Sequence, residues 1–464
     1  MPFTVAGMDV MVVGAGRSGR AAAELLVARG ARVTLADRAA SIDGVGASET
    51  AGVALALGAH DPRRFERADL VVLSPGVPAD QPAVQAARTA GVPVIGELEL
   101  ASRWISGRLI AITGTKGKST TTTLAARMIA QGGLTALAGG NLGTALSSQV
   151  ASSQPATFHV VEASSFQLET TDTFHPWIAV LLNLTADHLD RHASFDAYAR
   201  AKARIFANQT ADDWSVVNAD DPAAVSLAAS SRARRFDFAL ESTLEAGITI
   251  DGDQIVRRDG ARTVPLLPVA AVRLPGRHQL GDVLAAAAVG CLVGVPAPAL
   301  RRAVETFRGL EHVLEHVAEI GGVAFVNDSK ATNVDAARRS IESFDGDVVV
   351  IMGGRYKGGR FEDLRAPVAA RVRAVVAIGE AQPLIEAALG DIALVERAAS
   401  MRDAVDRALT FARPGGVVLL APACASFDQF QDYAARGRAF KAEVERRLGS
   451  AGMTAAGRRP GGTD

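Results

Sequence analysis

Two glycines, two lysines and a run of hydroxyls, Gly114-Thr115-Lys116-Gly117-Lys118-Ser119-Thr120, form the stretch of this sequence best equipped for chemistry. Turn glycines let backbone N–H groups point inward, and the N-terminus of a following helix adds positive potential, so the stretch suits a nucleoside triphosphate. Lys118 can reach the β- and γ-phosphates, and the hydroxyls of Ser119 and Thr120 can meet Mg²⁺. Ile112 stands where the usual phosphate loop has its first glycine, so the match is incomplete. The alternative, a Gly/Thr-rich turn that binds nothing, leaves two lysines and four consecutive threonines without a reason.

A second phosphate-compatible turn lies near the N-terminus, at Gly14-Ala15-Gly16-Arg17-Ser18-Gly19. Asp37 follows at the distance where a ribose-binding acid sits in a dinucleotide fold. Such a turn holds any pyrophosphate, and it also serves simple helix–sheet packing. Glu162 and His188 each follow an apolar run and suit Mg²⁺ or its outer shell, with Asp187 and Asp190 as equal alternatives. Lys330 in NDSKATN and Lys357 in GGRYKGG are cations in polar loops that can neutralise phosphate or a carboxylate.

These groups need rigid supports, and the sequence supplies them as apolar runs ending in polar turns. DVMVV, RVTLAD, ADLVVL and VPVIGELEL read as strands of a first Rossmann-like domain, residues 1–106. LIAIT, FHVVE, IAVLLNL and WSVV read as strands of a central phosphate-loop ATPase sheet, residues 107–306, with a helix beginning at the threonines. Residues 239–272 read as small antiparallel strands appended to that sheet, and a long apolar helix closes the domain. VAFVN, VVVIMGG, AVVAIGE and VVLLAPA form a second Rossmann-like domain, residues 307–448, followed by a mobile tail at 449–464. The class is α/β with three domains, and Gly107 and Gly309 are the expected hinges.

A net charge of −1 over 464 residues gives no field toward nucleic acid or an anionic membrane. Two distant cysteines, Cys291 and Cys424, fit a reducing compartment, and the first residues lack a signal-peptide pattern. The apolar run from Val283 to Pro296 is too short to span a bilayer. The expectation is a cytoplasmic enzyme acting on small molecules. Two phosphate sites in one chain fit an ATP-dependent transferase or ligase with a second, nucleotide-like substrate.

GTKGKST, HVVEASSFQLE, LNLTADHLDR, YARAKARIF, NDSKATN and APACASFDQF together resemble the Mur ligases, from about Gly14 to Phe440. NDSKATN and the CASFDQF ending are similar to the glutamate-adding branch. The resemblance implies ATP, two Mg²⁺ ions, UDP-N-acetylmuramoyl-L-alanine and D-glutamate as ligands of a monomer, joined through an acyl phosphate. By the same resemblance Gly114 to Thr120 hold the ATP phosphates, and Ser119, Thr120, Glu162, His188 and Lys202 hold metal, Lys202 as a carbamate. Lys118, His188, Lys202 and Lys330 become the catalytic set. The turn Gly14 to Gly19 would meet the uridine diphosphate, with Asp37, Arg38 and Ser74 on the nucleotide and Asn141 on the muramoyl group. Asp328 would approach the ATP ribose, while Lys330, Thr332, Lys357, Ser426 and Tyr433 would receive glutamate. Three positions depart from the family pattern: Val313 replaces an arginine, and Gln279 and Asp282 replace an asparagine pair near the adenine.

Overall fold

Strands with no polar face set the frame. Leu70–Leu73, Ile178–Leu181 and Val348–Gly353 are buried at every position, which is the pattern of parallel strands covered on both sides. The computed structural model describes residues 3–40, 52–185, 191–274, 277–356 and 359–456. His188, with Asp187 and Asp190, and Lys357 lie outside the described residues. Three α/β domains occupy two compact units, one of Met1–Arg273 with Arg277–Phe307, the other of Leu274–Gly276 with Arg308–Asp464.

The first sheet orders its strands Val53–Leu57, Arg32–Asp37, Asp9–Val13, Leu70–Leu73, Val94–Gly96, all parallel. Strand order reverses at Asp9–Val13, so a crevice opens beyond Val13 and Leu73, where ligands of such sheets lie. The central sheet has six parallel strands, with Arg108–Thr113 between Phe158–Glu162 and Ile178–Leu181. Lys118–Gln131 and Arg277–Val293 are helices of this unit; the latter is buried on all sides from Asp282 to Gly290, as the apolar run that begins at Val283 requires.

Three expectations are corrected. ELEL does not extend a strand: after Val94–Gly96 the chain turns into the helix Glu97–Ser102, whose acids sit in its first turn, where the helix dipole favours them. The strands of residues 239–272 do not extend the central sheet itself, but a bridge between Asn218 and Phe238 attaches them beside it. With Asp237–Phe238 they make a separate four-stranded sheet, because Gly252 and Gly260, both at positive φ, close tight hairpins. The final helix, Tyr433–Ala456, continues past Leu448 into the residues expected to be a tail, since AEVERRLGSAG lacks a proline to stop it.

Two buried polar devices brace this unit, one joining the first domain to the central one and one within the central domain at the junction. Glu99 is fully buried and accepts from the N–H groups of Asp172, Thr173 and Phe174, the Thr173 hydroxyl and Arg103. Burial pushes its carboxyl upward, yet those donors hold it below the usual carboxylate range. The second device centres on His159, also fully buried: Nδ1 donates to Gln149 Oε1 (2.7 Å) and Nε2 accepts from Ser153 Oγ (2.9 Å). Ser153 Oγ in turn accepts the N–H groups of Ser106 and Gly107. Gly107, expected as a hinge, is thus tied to the central domain, and a Cβ there would meet the Thr157 carbonyl at 2.2 Å.

Burial lowers the His159 pKa from 6.5 to about 4. A depressed folded-state value means the stability contribution is complete above pH 6.5 and is lost as pH falls toward 4. Denaturant titrations of the native protein should therefore show a loss of stability across that window, and His159→Gln, which cannot charge, should show a flatter profile over it.

Candidate active site

The phosphate loop follows Arg108–Thr113 and ends on the helix Lys118–Gln131. Gly114 and Gly117 carry φ of 154° and 80°, values that only glycine adopts readily. Asn183 aligns the loop from the neighbouring strand: its carbonyl accepts Thr115 N–H and its Oδ1 accepts Lys116 N–H (2.8 Å). Lys118 Nζ folds back onto the carbonyls of Gly114 and Thr115 (3.0 and 2.9 Å). This closed arrangement keeps the ammonium at the mouth of the cradle. Thr120 is buried, while Ser119 remains half-buried at the helix start.

Glu162, at the end of its strand, is 3 % exposed and sits between two neighbours. Ser119 Oγ donates to Oε2 (2.5 Å) and Asn141 Nδ2 donates to Oε1 (2.7 Å). A carboxylate beside a serine hydroxyl at a phosphate loop is a donor set that fits Mg²⁺, an ion that keeps several waters. Among the described residues no three His, Cys, Asp or Glu side chains converge on one point. Lys202 lies under the loop: 1 % exposed, its Nζ donates to Gly114 O (2.7 Å) and Thr113 Oγ1 (3.3 Å), 4.8 Å from the Tyr198 ring centre. Tyr198 also bonds the Thr115 hydroxyl (3.0 Å).

The first-domain crevice is a cleft of about 540 Å³. Gly14, Gly16, Arg17, Ser18, Asp37, Arg38, Ser74 and Asn141 line it, whereas Ala15 and Gly19 support it from behind. A Cβ on Gly19 would come within 1.8 Å of Gly14 O. Asp37 has the expected spacing, but its carboxylate accepts the N–H groups of Ala15 (2.8 Å) and Ala39 (2.9 Å), so it shapes the turn as well as facing the cleft. Ser74 Oγ holds Gly14 O (2.8 Å), and Arg17 reaches across to Gly143 O (2.7 Å). The central domain therefore closes one wall through Gly140, Asn141 and Gly143. Sequence reading missed His60 and Gln81 in this wall. His60 Nε2 is buried without a hydrogen-bond partner; the strand before it, Val53–Leu57, was also missed, and only the polar GAHDP turn hinted at it.

In the other unit, Asp328 is buried and bonded by Ser340 Oγ. Burial raises its pKa to about 6. Lys330 is exposed, Thr332 half-buried, Ser426 buried and Tyr433 40 % exposed with its ring edge-on to His312. Gln279 and Asp282 are both buried on the helix Arg277–Val293.

Comparison with known proteins gives three consecutive matches: "Mur ligase MurD-like, N-terminal domain" at residues 8–96, "Mur ligase middle domain" at 112–290 and "Mur ligase, glutamate ligase domain" at 314–424. The chain belongs to the Mur ligase family. Among this ligase's relatives, the UDP-N-acetylmuramoylalanine–D-glutamate ligase of Acidobacterium capsulatum is 47 % identical, over 96 % of this chain and 98 % of that protein. That of Anaeromyxobacter dehalogenans is 46 % identical over 94 % and 97 %. The fold is shared with a UDP-N-acetylmuramate–alanine ligase from Thermotoga maritima (TM-score 0.59, 18 % identity, 96 % of this chain and 100 % of that one). A pseudomurein peptide ligase from Methanothermus fervidus is similar at TM-score 0.58 and 15 % identity, covering 95 % and 100 %. ATP and Mg²⁺ are consistent with the family and with the donors at the loop.

Asp282 abuts the loop so closely that a Cβ on Gly117 would lie 1.9 Å from its Oδ1. Burial raises its pKa to about 7, against the pull of Thr121 and Lys118. For a raised carboxyl, stability is complete below the ordinary value of 3.8 and is lost as pH rises through 7. Asp282→Asn should thus stabilise the ligase more at pH 8 than at pH 5, by on the order of 2 kcal/mol in the difference; equal melting shifts at both pH values would contradict this.

Proposed function

We infer that this Mur ligase uses ATP to join D-glutamate to UDP-N-acetylmuramoyl-L-alanine. The observation that carries the reading is the hydrogen-bonded series Ser119–Glu162–Asn141, which runs from the phosphate loop to the wall of the nucleotide cleft. A substrate with its uridine diphosphate beside Gly14 to Gly19 and its far end near Asn141 brings its terminal carboxylate toward the γ-phosphate. The relatives named for this reaction support the choice of both substrates. We divide the chain accordingly into a uridine-substrate domain (1–106), an ATP domain (107–306) and an amino-acid domain (307–448).

A carboxylate resists attack by an amine until one oxygen becomes a leaving group. In the proposed reaction the L-alanine carboxylate oxygen takes the γ-phosphoryl group of ATP, releasing ADP. The glutamate amine then adds to the acyl carbon, loses a proton, and the tetrahedral adduct expels phosphate to leave the amide. Lys118 offsets charge on the transferring group, and Lys330 neutralises the incoming amino acid, with Thr332, Ser426, Tyr433 and Lys357 as further contacts. Bound Mg²⁺ would supply charge neutralisation at the phosphates, held by Ser119, Thr120 and Glu162 with His188. Asp328 is assigned to the ATP ribose and Asp282 to the adenine side.

An amino-acid panel with ATP and UDP-N-acetylmuramoyl-L-alanine, read by product mass, should show a strong preference for D-glutamate. Equal product with L-glutamate would overturn the substrate assignment and leave the ligase chemistry standing.

We assign Lys202 to carbamylation, because a carbamate at its end would place negative charge beside the cation site, whereas a bare amine places positive charge there. Lys202→Ala should be nearly inactive and partly rescued by short carboxylic acids. Independently of turnover, protein equilibrated with carbon-13 carbon dioxide should give a carbonyl resonance that the variant lacks. A bare amine in a fully active enzyme would end this assignment.

A further inference from the structure

The helix Tyr433–Ala456 carries a charge where burial disfavours one. Arg436 is 1 % exposed, and among the described residues it makes no ion pair. Its guanidinium donates instead to neutral oxygens: Nε to Ser329 Oγ (3.0 Å), Nη2 to Ser329 O (2.9 Å), and Nη1 to Cys424 O (3.1 Å) and Gly353 O (3.5 Å). Burial pushes its pKa down to about 10, opposed by Cys424 and Asp428. A hydrophobic side chain of similar size would avoid that desolvation, so stability alone does not explain the choice.

The three acceptor residues explain it better. Ser329 follows the strand Val323–Asn327, Cys424 follows Val417–Leu420, and Gly353 ends Val348–Gly353. These strands are consecutive in the sheet and parallel, so one planar guanidinium gathers three adjacent carboxyl-end loops at the place where such sheets bind ligands. Two of these loops carry groups assigned above to glutamate: Ser329 precedes Lys330, and Cys424 lies two residues before Ser426. Gly353 opens the third. The fit is close: a Cβ on Gly354 would lie 2.2 Å from Ala425 O and 3.2 Å from Arg436 Nη1. Ser329 Oγ, while accepting from Arg436, donates to Tyr433 O (2.7 Å). The next helix residue continues the same support, since Gly437 packs directly on His312, whose carbonyl accepts Lys330 N–H (3.1 Å).

We propose that Arg436 is the positioning residue of the amino-acid site, fixing the three loops that present Lys330, Ser426 and the Gly353 turn without itself touching substrate. The inference rests on the reading of glutamate as the amino acid added.

Steady-state kinetics of the full-length enzyme test it, with each substrate varied in turn. Arg436→Ala should raise the D-glutamate KM on the order of 10- to 100-fold, the scale set by a small misplacement of binding groups. The KM for UDP-N-acetylmuramoyl-L-alanine should stay within about twofold of wild type, because its cleft belongs to the other unit. Arg436→Lys should fall between the two enzymes, and added guanidinium ion should lower the D-glutamate KM of Arg436→Ala. An unchanged D-glutamate KM in a folded variant, or an equal rise for every substrate, overturns the proposal. If Arg436→Ala fails to fold, Arg436→Lys decides by the same criterion. Wild-type enzyme that does not add glutamate at all refutes the functional reading instead, and the two failures are distinguished before any variant is made.

Discussion

The Glu162 carboxylate, shared between the Ser119 hydroxyl and the Asn141 amide, is the contact that ties the phosphate loop of the first unit to its cleft. It exists because a buried strand, Phe158–Glu162, ends in an acid just where two loops converge. Gly140 makes the approach possible: at φ 84° it passes so near that a Cβ would lie 2.4 Å from Glu162 O. Asn141 N–H then bonds that same carbonyl, so both the backbone and the side chain of Glu162 hold the cleft wall. One carboxylate thereby sets the register between the phosphate loop and the first-domain cleft, which are built on different sheets.

Much of this was legible because it is local. A strand, two glycines and a helix start define the phosphate loop within about a dozen residues, and each constraint can be read from residue type. The cleft was legible for the same reason at Gly14 to Gly19. What escaped depends on partners far along the chain. Arg436 sits in AARGRAF, a stretch with no outward mark, and its acceptors lie up to 107 positions away. Glu97–Ser102 looked like a strand because apolar and acidic residues alternate; its burial against the central domain, through Glu99, selects the helix. Asp37 had the right spacing, yet local chemistry turns its carboxylate to the Ala15 N–H. His188 and Lys357 lie outside the described residues, so their roles rest on resemblance.

Buried ionisable groups divide into two kinds here. Glu99 is matched by donors on every side and stays ionised, which makes it a fastener between sheets. Arg436 is matched by neutral acceptors at the expense of its basicity. Asp282 has weaker compensation, and its carboxyl titrates near neutrality against the phosphate loop. The division follows a simple rule: a buried charge persists where its full set of hydrogen bonds is supplied, and otherwise it shifts toward the neutral form.

Asn141 belongs to the cleft and, through Glu162, to the phosphate loop at once. An inhibitor that fills the cleft and takes up the Asn141 amide would therefore draw a hydrogen bond away from Glu162 and loosen the support of Ser119. On the assignment proposed above, such a compound would compete with the uridine substrate while lowering the enzyme's apparent affinity for magnesium nucleotide, although it never enters the phosphate loop. The mixed inhibition pattern would come from one shared amide rather than from a change of domain arrangement.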